Sequence, residues 1–181
     1  MLPVNLDFLL DYALLTNDSE TLKHVELTLD KMAMGGLYDQ VAGGFYRYST
    51  DSEWKVPHFE KMLYDNAKAI SLYAKAYKIF RKPSYKNIIL GTILFLEREM
   101  KNPKGAYYAA LDAQSEGKEG KFYVWTETDL KEILREDFAL FSEYYTIQKE
   151  NVWEEDSYIL SKSLDDDAFS AKHAIPLSQL H

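Results

Sequence analysis

The chain has 181 residues, a formal net charge of −8 and no cysteine. An acidic chain repels a nucleic-acid backbone and an anionic membrane surface, so we expect neither as a partner. The lack of cysteine excludes disulfides, thiolate catalysis and cysteine-ligated zinc, and it fits a cytoplasmic protein. No apolar run approaches the roughly 18 residues of a membrane span, and no signal peptide is expected. The length suits one globular domain with a sizeable core.

Apolar residues recur at three- and four-residue spacing in six segments, which predicts six helices. Short turns join these helices in pairs, so we expect three antiparallel hairpins, over 5–34, 58–100 and 127–146. Asp18 or Ser19 should cap the second helix, because a short polar side chain accepts hydrogen bonds from the first backbone N–H groups.

Pro57 marks the predicted start of the third helix, because proline at the first helical position has its φ angle already fixed. The helix then runs on from His58 or Phe59. The positive end of the helix dipole would disfavour imidazolium at His58 and leave a neutral imidazole suited to proton transfer. The alternative is a partly buried histidine that bonds a loop carbonyl. Glu60 would lie in the first turn, where it either bonds backbone N–H groups or acts as a general acid or base.

A long irregular segment, the central loop, precedes that helix and begins at Gly35. Gly35 and Gly36 are expected to end the second helix, since glycine adopts positive φ without steric cost. Gly43 and Gly44 form a second flexible point, and polar and aromatic residues follow them. A loop of this length in a helical domain is usually functional. The alternative is a plug that closes one end of the bundle with its own aromatic side chains.

The connection from the fourth helix to the fifth is rich in Tyr, Phe, Val and Trp on both sides of a polar, glycine-containing loop. This pattern predicts a β-hairpin between 106–111 and 121–125, after which Thr126 caps the fifth helix. The acidic spacing that begins at Asp112 is similar to a calcium loop. Tyr123, however, stands where the closing glutamate should be, so we expect no metal and no other cofactor.

The tail over 147–181 is weakly patterned. A short strand is expected over 157–160, and a solvated helix cap or loop, rather than a metal site, is expected over 165–167. No linker or composition change divides the chain, so we expect a single domain over 1–181.

Helices that alternate in direction bring both long connections to one end of the bundle, which we call the loop end. The central loop and the 106–125 segment should therefore touch, with Trp54 and Asp112 at the same end of the molecule. Loops held on a rigid scaffold carry most binding and catalysis. The loop end is the candidate site.

Carboxylates at the loop end could supply acid or base chemistry. Glu60 and Asp112 would suit glycosidic-bond chemistry if their separation allowed it, and Glu116 or Glu119 are further sources of a carboxylate. The candidate catalytic residues are His58, Glu60 and Asp112.

The remaining candidates would bind a substrate: Tyr46, Arg47, Trp54, Asp65 and Tyr107. Aromatic rings suit stacking on sugar faces, although tyrosine-rich packing explains them equally well. Arg47 could bind a carboxylate or hydroxyl groups, or it could hold its own loop. Asp65 could instead pair with Lys61 or Lys68 and have no further role.

Two motifs carry a family resemblance: GGLYDQVAGGFYRYSTDSEWKVPHFEKMLYDNA and YYAALDAQSEGKEGKFYVWTETDLKEIL. In their order and spacing they closely resemble the YyaL-like family, the spermatogenesis-associated proteins that carry an N-terminal thioredoxin-like domain. The match covers most of the chain up to about Tyr145 and is weaker in the tail. This chain contains no redox CxxC motif, so thiol chemistry cannot be attributed to it.

The resemblance implies an (α/α)6 toroid of the six-hairpin glycosidase and N-acylglucosamine 2-epimerase kind. It also implies that the third helix is an inner one, that His58 and Glu60 lie at the mouth of the central cavity, and that the ligand is a carbohydrate. A toroid needs six hairpins, and this chain supplies about three. We therefore expect an all-α, partial toroid of antiparallel helical hairpins with one small β-hairpin.

The expected function is sugar binding or processing, with an epimerase- or glycosidase-like activity in the full-length protein. The alternative is a non-catalytic structural or protein-interaction module. Half a ring leaves its outer flanks uncovered, so we also expect self-association or contact with the missing half of the toroid. The flank residues expected to make this contact are Leu6, Leu9, Leu10, Phe138 and Phe141.

Overall fold

The computed structural model describes residues 3–180, and most of them are helical. The helices are α1 (Pro3–Thr16), α2 (Ser19–Met34), α3 (Leu63–Phe80), α4 (Pro83–Phe95), α5 (Glu127–Leu134), α6 (Phe138–Tyr144) and α7 (Asp166–His173). A π-helical turn continues α4 over Leu96–Met100, and short 3-10 turns lie at Arg135–Asp137, Lys149–Asn151 and Leu177–Gln179. No helix in this part of the chain combines the length and apolar content needed to cross a bilayer.

Within residues 3–180, eight two-residue strands pair into four small antiparallel ladders. The strands are β1 (Tyr48–Ser49), β2 (Pro57–His58), β3 (Lys61–Met62), β4 (Ala110–Leu111), β5 (Gln114–Ser115), β6 (Lys118–Glu119), β7 (Trp125–Thr126) and β8 (Ser157–Tyr158). β1 pairs with β2, β3 with β4, β5 with β6 and β7 with β8. These results confirm the predicted fold class of helical hairpins with one small β-hairpin, β5–β6.

Polar caps define several helix starts as predicted. The Asp18 carboxylate, not Ser19, caps α2 and accepts hydrogen bonds from the Glu20 and Thr21 N–H groups, both at 3.1 Å. The backbone N–H of Thr21 is the main cause of the lowered pKa of Asp18. Thr126 caps α5 through the Asp129 N–H group at 3.1 Å.

The predicted start of the third helix is wrong. α3 begins at Leu63, and Pro57 and His58 lie in β2. The residues before α3 are extended because β2 pairs with β1 and β3 pairs with the distant β4. Proline has a φ angle that suits extended backbone as well as a helix start, so Pro57 does not distinguish the two. His58 is therefore not at a helix N-terminus, and Glu60 is not in a first helical turn.

The predicted pairing of 106–111 with 121–125 is also wrong. β4 pairs with β3 of the central loop, and β7 pairs with β8 of the tail. The turn between them forms its own shorter hairpin, β5–β6. Strand propensity predicts which segments form strands but not which strands pair with each other. The tail strand is confirmed at Ser157–Tyr158, and Asp165 is confirmed as a cap, here of α7.

The glycines after α2 are needed for close approach rather than for positive φ. Gly35 has a φ of −76°, and a Cβ atom there would lie 2.4 Å from the Trp54 carbonyl oxygen. At Gly36 it would lie 2.0 Å from the carbonyl oxygen of Lys55. Since the Gly36 N–H group donates to the Trp54 carbonyl at 2.7 Å, these glycines let the central loop fold back onto the end of α2.

The main core lies between the first four helices and the central loop. α3 packs against α1 and α4, and α1 packs against α2. The largest fully buried side chains of this core include Leu10, Leu29, Met32, Phe45, Phe59, Leu72, Tyr73 and Tyr85. A second cluster joins α5 and α6 to the tail through Leu130, Ile147, Tyr158 and Leu160. Paired helices around a shared core are consistent with part of an (α/α)6 toroid.

The flank residues predicted for self-association are largely packed within the chain. Leu10 is fully buried, so its prediction is wrong. The other four are half-buried and pack against one of the two cores. The apolar side chains that α1 does expose are Val4, Phe8, Tyr12, Leu14 and Leu15. Whether copies of the chain associate stays a prediction.

Candidate functional site

The two long connections meet at the loop end, as predicted. The β3–β4 ladder pairs Lys61 with Leu111 and Met62 with Ala110, which joins the central loop directly to the 106–125 segment. The ring of Tyr123 packs on that of Phe59, with centroids 6.0 Å apart. The loop end is therefore a corner of the fold at which segments that are distant along the chain are in direct contact.

His58 lies at the centre of this corner. The β1–β2 ladder places it opposite Tyr48, and the two rings stack with centroids 5.0 Å apart. The imidazole Nδ1 atom lies 2.7 Å from Oε1 of Glu119, and Nε2 lies 3.7 Å from Oε2 of Glu60. The side chains of His58 and Glu60 are 26% and 25% exposed. A titratable ring is thus flanked by two carboxylates within reach of solvent.

Arg47 fixes the position of Glu60. Its Nη1 atom donates to Oε2 of Glu60 at 2.7 Å, and its backbone N–H group donates to the Glu60 carbonyl at 2.8 Å. The hydrogen bond and the charge of Glu60 raise the pKa of Arg47 above its ordinary value. Arg47 therefore remains a cation beside the carboxylate.

A groove of about 750 Å³ adjoins this cluster. The residues that line it and matter for a ligand are Arg47, Tyr48, Asp51, Trp54, Tyr64 and Asp65. Asp51 organises the loop at its edge by accepting hydrogen bonds from the backbone N–H groups of Glu53, Lys55 and Val56. Trp54 has a φ of 63°, an uncommon value for a bulky residue, so the surrounding contacts must hold it in place.

Asp65 lies in the first turn of α3, where its side chain is mostly buried at the groove wall. Burial raises its pKa above the ordinary value, although the positive charges of Arg47 and Lys68 oppose this shift. The predicted pairing of Asp65 with Lys61 is wrong, because the Lys61 ammonium bonds Asp39 at 2.7 Å. Asp65 thus remains a candidate for contact with a ligand.

Lys61 is fully buried in a site that the sequence pattern did not reveal. Its ammonium donates to the Gly43 carbonyl at 3.0 Å as well as to Asp39. The ring centroids of Tyr46, Phe95 and Tyr123 lie 4.7, 4.4 and 4.9 Å from Nζ, so aromatic faces surround the charge. Burial lowers the pKa of Lys61, and Asp39 opposes the shift. These bonds therefore join β3, the strand that leads into α3, to the first part of the central loop.

Comparison with known proteins identifies relatives over most of the chain. Spermatogenesis-associated protein 20 of Homo sapiens is 40% identical over 144 residues, which is 74% of this chain and 18% of that protein. The Mus musculus protein of the same name is 39% identical over 80% of this chain and 20% of its own length. An uncharacterized protein of Caenorhabditis elegans is 30% identical over 97% of this chain and 28% of its length. The chain belongs to the spermatogenesis-associated protein 20 family.

This chain spans between 18% and 28% of the length of these family members. No protein-family model matches it. A crystal structure of D-mannose isomerase is similar over 71% of this chain and 35% of its own, at 19% identity and a TM-score of 0.37. A likeness at that level does not establish a function for the spermatogenesis-associated protein 20 family.

In this family member, only some of the candidate residues predicted from the sequence lie in or next to the groove. Arg47, Trp54 and Asp65 line the groove, with His58 and Glu60 beside it. The other three candidates are Tyr46, Tyr107 and Asp112.

These three lie outside the groove lining. Tyr46 is buried between the rings of Phe59 and Tyr123, so its position does not support contact with a ligand. Tyr107 donates to the carboxylate of Glu97, which lies in the π-helical turn that follows α4. Asp112 accepts from the Gln114 N–H group at 2.9 Å, which shapes the turn into β5.

Proposed function

We propose that this part of the protein binds a carbohydrate in the groove at the loop end, with His58 as the proton-transfer group of an epimerase-like reaction in the full-length protein. The observation that carries the proposal is the position of His58 between Glu119 and Glu60, next to a groove with aromatic and charged walls. A neutral imidazole can accept a proton at one ring nitrogen while its other ring nitrogen is held by a hydrogen bond.

The groove has the surface chemistry that sugar binding needs. Tyr64 lines the groove and is 47% exposed, so its ring is available to stack on an apolar sugar face, whereas the ring of Tyr48 already stacks on His58. Arg47 and Asp65 supply a donor and an acceptor for hydroxyl groups. Aromatic faces combined with convergent polar groups are typical of small-ligand sites.

The contacts favour epimerase-like over glycosidase-like chemistry. Glycosidic cleavage uses two carboxylates, one as an acid and one as a base or nucleophile. Glu60 is instead held by Arg47, and Asp112 is held in its turn by the Gln114 N–H group. Epimerisation at a sugar carbon next to a carbonyl needs a base that removes the carbon-bound proton, which leaves an enediolate, and a donor that returns a proton to the opposite face. His58 can supply the base, and solvent in the open groove can supply the returning proton.

A non-catalytic interaction module is the second candidate. It is favoured by the fact that the charged groups around His58 already have partners within the chain: Glu60 bonds Arg47, and Glu119 bonds both His58 and the Phe59 N–H group. In that case these contacts serve to join the central loop to the β5–β6 hairpin.

Sugar binding by the chain would decide between the two functions. We expect isothermal calorimetry with a panel of neutral monosaccharides to detect binding that Tyr64→Ala weakens about tenfold, the equivalent of about 1.4 kcal/mol from a lost aromatic contact. Tyr108→Ala is the matched control, since Tyr108 is similarly exposed, at 51%, and lies outside the groove. Equal effects of the two substitutions, or no binding of any sugar, would contradict the proposal.

Asp65→Asn should raise the melting temperature at pH 7. A carboxyl group whose folded-state pKa is raised contributes stability below its unfolded pKa of 3.8 and loses it as the pH rises through the folded value. Charged Asp65 therefore destabilises the chain at neutral pH, and the gain from Asp65→Asn should vanish near pH 3. We expect a shift of a few degrees, at about 2–4 °C per kcal/mol for a domain of this size.

Asp51→Asn provides a control of opposite sign in the same groove. Burial raises the pKa of Asp51, but the hydrogen bonds from Val56, Glu53 and Lys55 outweigh burial and lower it overall. Its contribution to stability is present above the unfolded pKa and is lost as the pH falls through the folded value. Thermal melts at pH 7 should show a loss for Asp51→Asn, and a gain there would refute the electrostatic assignment.

A further inference from the structure

We infer that Glu119 is the positioning residue of His58: it holds the neutral imidazole in the tautomer that carries its proton on Nδ1, so that Nε2 is the proton acceptor. The chemical role of that acceptor rests on the proposed function. The tautomer itself is a property of this chain and can be measured without any substrate.

The contact at Nδ1 fixes the direction of the hydrogen bond. An ionised carboxylate can only accept, so the 2.7 Å contact between Nδ1 of His58 and Oε1 of Glu119 requires a proton on Nδ1. The same Oε1 atom accepts from the Phe59 N–H group at 3.3 Å. Two donors from adjacent residues thus orient one carboxylate oxygen, and that oxygen orients the ring.

The opposite nitrogen is left available. Nε2 lies 3.7 Å from the Glu60 carboxylate, beyond hydrogen-bond distance, and within residues 3–180 it makes no hydrogen bond. Glu60 directs the same oxygen to Arg47 at 2.7 Å, and Tyr48 covers a face of the ring. Because the partner of one ring nitrogen determines the state of the other, Nε2 of neutral His58 carries the lone pair.

The β5–β6 hairpin places Glu119 next to His58. Glu119 is the last residue of β6, and Gly120 follows it with a φ of +73°. A Cβ atom at Gly120 would lie 2.5 Å from the Phe59 ring, so the glycine allows the hairpin to approach the residue next to His58. The hairpin therefore delivers a carboxylate to a histidine that is far away along the chain.

Nitrogen NMR tests the inference directly. In the 15N-labelled chain, at a pH where His58 is neutral, long-range 1H–15N correlations should identify the Nδ1–H tautomer. Glu119→Ala should shift the tautomer ratio toward Nε2–H by about tenfold or more, as expected for the loss of a charge-assisted hydrogen bond. Glu119→Gln keeps an acceptor oxygen and should retain the Nδ1–H tautomer.

Glu116→Ala is the matched control, because it removes the same side chain from the same hairpin, where Glu116 pairs with Lys121. It should leave the His58 spectrum unchanged. An Nε2–H tautomer in the unmodified chain would overturn the inference, and so would equal effects of Glu116→Ala and Glu119→Ala. If the tautomer is as expected and no sugar binds, the proposed function fails while the role of Glu119 stands.

Discussion

Lys61→Met is expected to lower the free energy of unfolding by about 3–5 kcal/mol, because removing one partner of a buried ion pair strands the other charge. The partner is Asp39, which is 8% exposed. Asp39 would keep its hydrogen bonds from the Val41 and Ala42 N–H groups but would lose the cation 2.7 Å away. Urea denaturation followed by circular dichroism measures the loss.

Two further variants make the prediction specific to burial. Lys75→Met removes a lysine that pairs with Asp7 and Asp11 at the surface, where an ion pair contributes about 1 kcal/mol or less. The double variant Asp39→Asn, Lys61→Met should regain part of the lost stability, since no unpaired charge is left in the interior. Equal losses for Lys61→Met and Lys75→Met would show that burial of the pair is not what matters.

Gly43→Ala should destabilise the chain by about 2–5 kcal/mol, from left-handed strain and a steric clash together. Gly43 has a φ of +77°, and a Cβ atom there would lie 2.5 Å from the carbonyl oxygen of Gly91 in α4. Backbone of a packed helix cannot move aside as a flexible side chain can. The Gly43 carbonyl also accepts from Lys61, so a shift of the loop would disturb the buried ion pair.

Gly117→Ala separates the two contributions. Gly117 has the same φ of +77°, but apart from its own chain neighbours no atom would lie within 4 Å of an added Cβ atom. It should therefore cost only the strain of the left-handed conformation, about 1–2 kcal/mol. Denaturation curves give the loss of unfolding free energy for each variant, and the difference between the two losses is the cost of the clash at Gly43. Equal losses would mean that the central loop moves to accommodate the added methyl group.

Much of the helical framework could be predicted from the sequence, because its signals are local. The caps at Asp18 and Thr126 and the apolar spacing of each helix depend on residues within one or two turns. The meeting of the two long connections followed from the alternation of helix direction alone. The start of α3 could not be predicted, because Pro57 suits both helix and strand and the deciding partner, β4, lies far along the chain.

The candidate site was harder to predict, because its contacts join distant segments. His58, Glu60, Arg47 and Trp54 were all identified as candidates, and the structure brings them to one corner. Glu119 was one of several possible carboxylates, and only the β5–β6 register selects it. Lys61 was considered only as a possible partner of Asp65 in a helix, whereas the extended backbone of β3 turns it into the core.

The ladders of the loop end also imply an order of assembly. The α3–α4 hairpin closes over a short turn, whereas the β3–β4 ladder must first close a loop of about fifty residues, which has a higher entropy cost. Contacts between distant segments form late when local ones are available. The helices around Tyr73 and Tyr85 should therefore be protected early in a pulse-labelled refolding experiment, and the amides of the β3–β4 ladder should be protected last. Simultaneous protection of both regions would mean that the site and its scaffold fold as one unit.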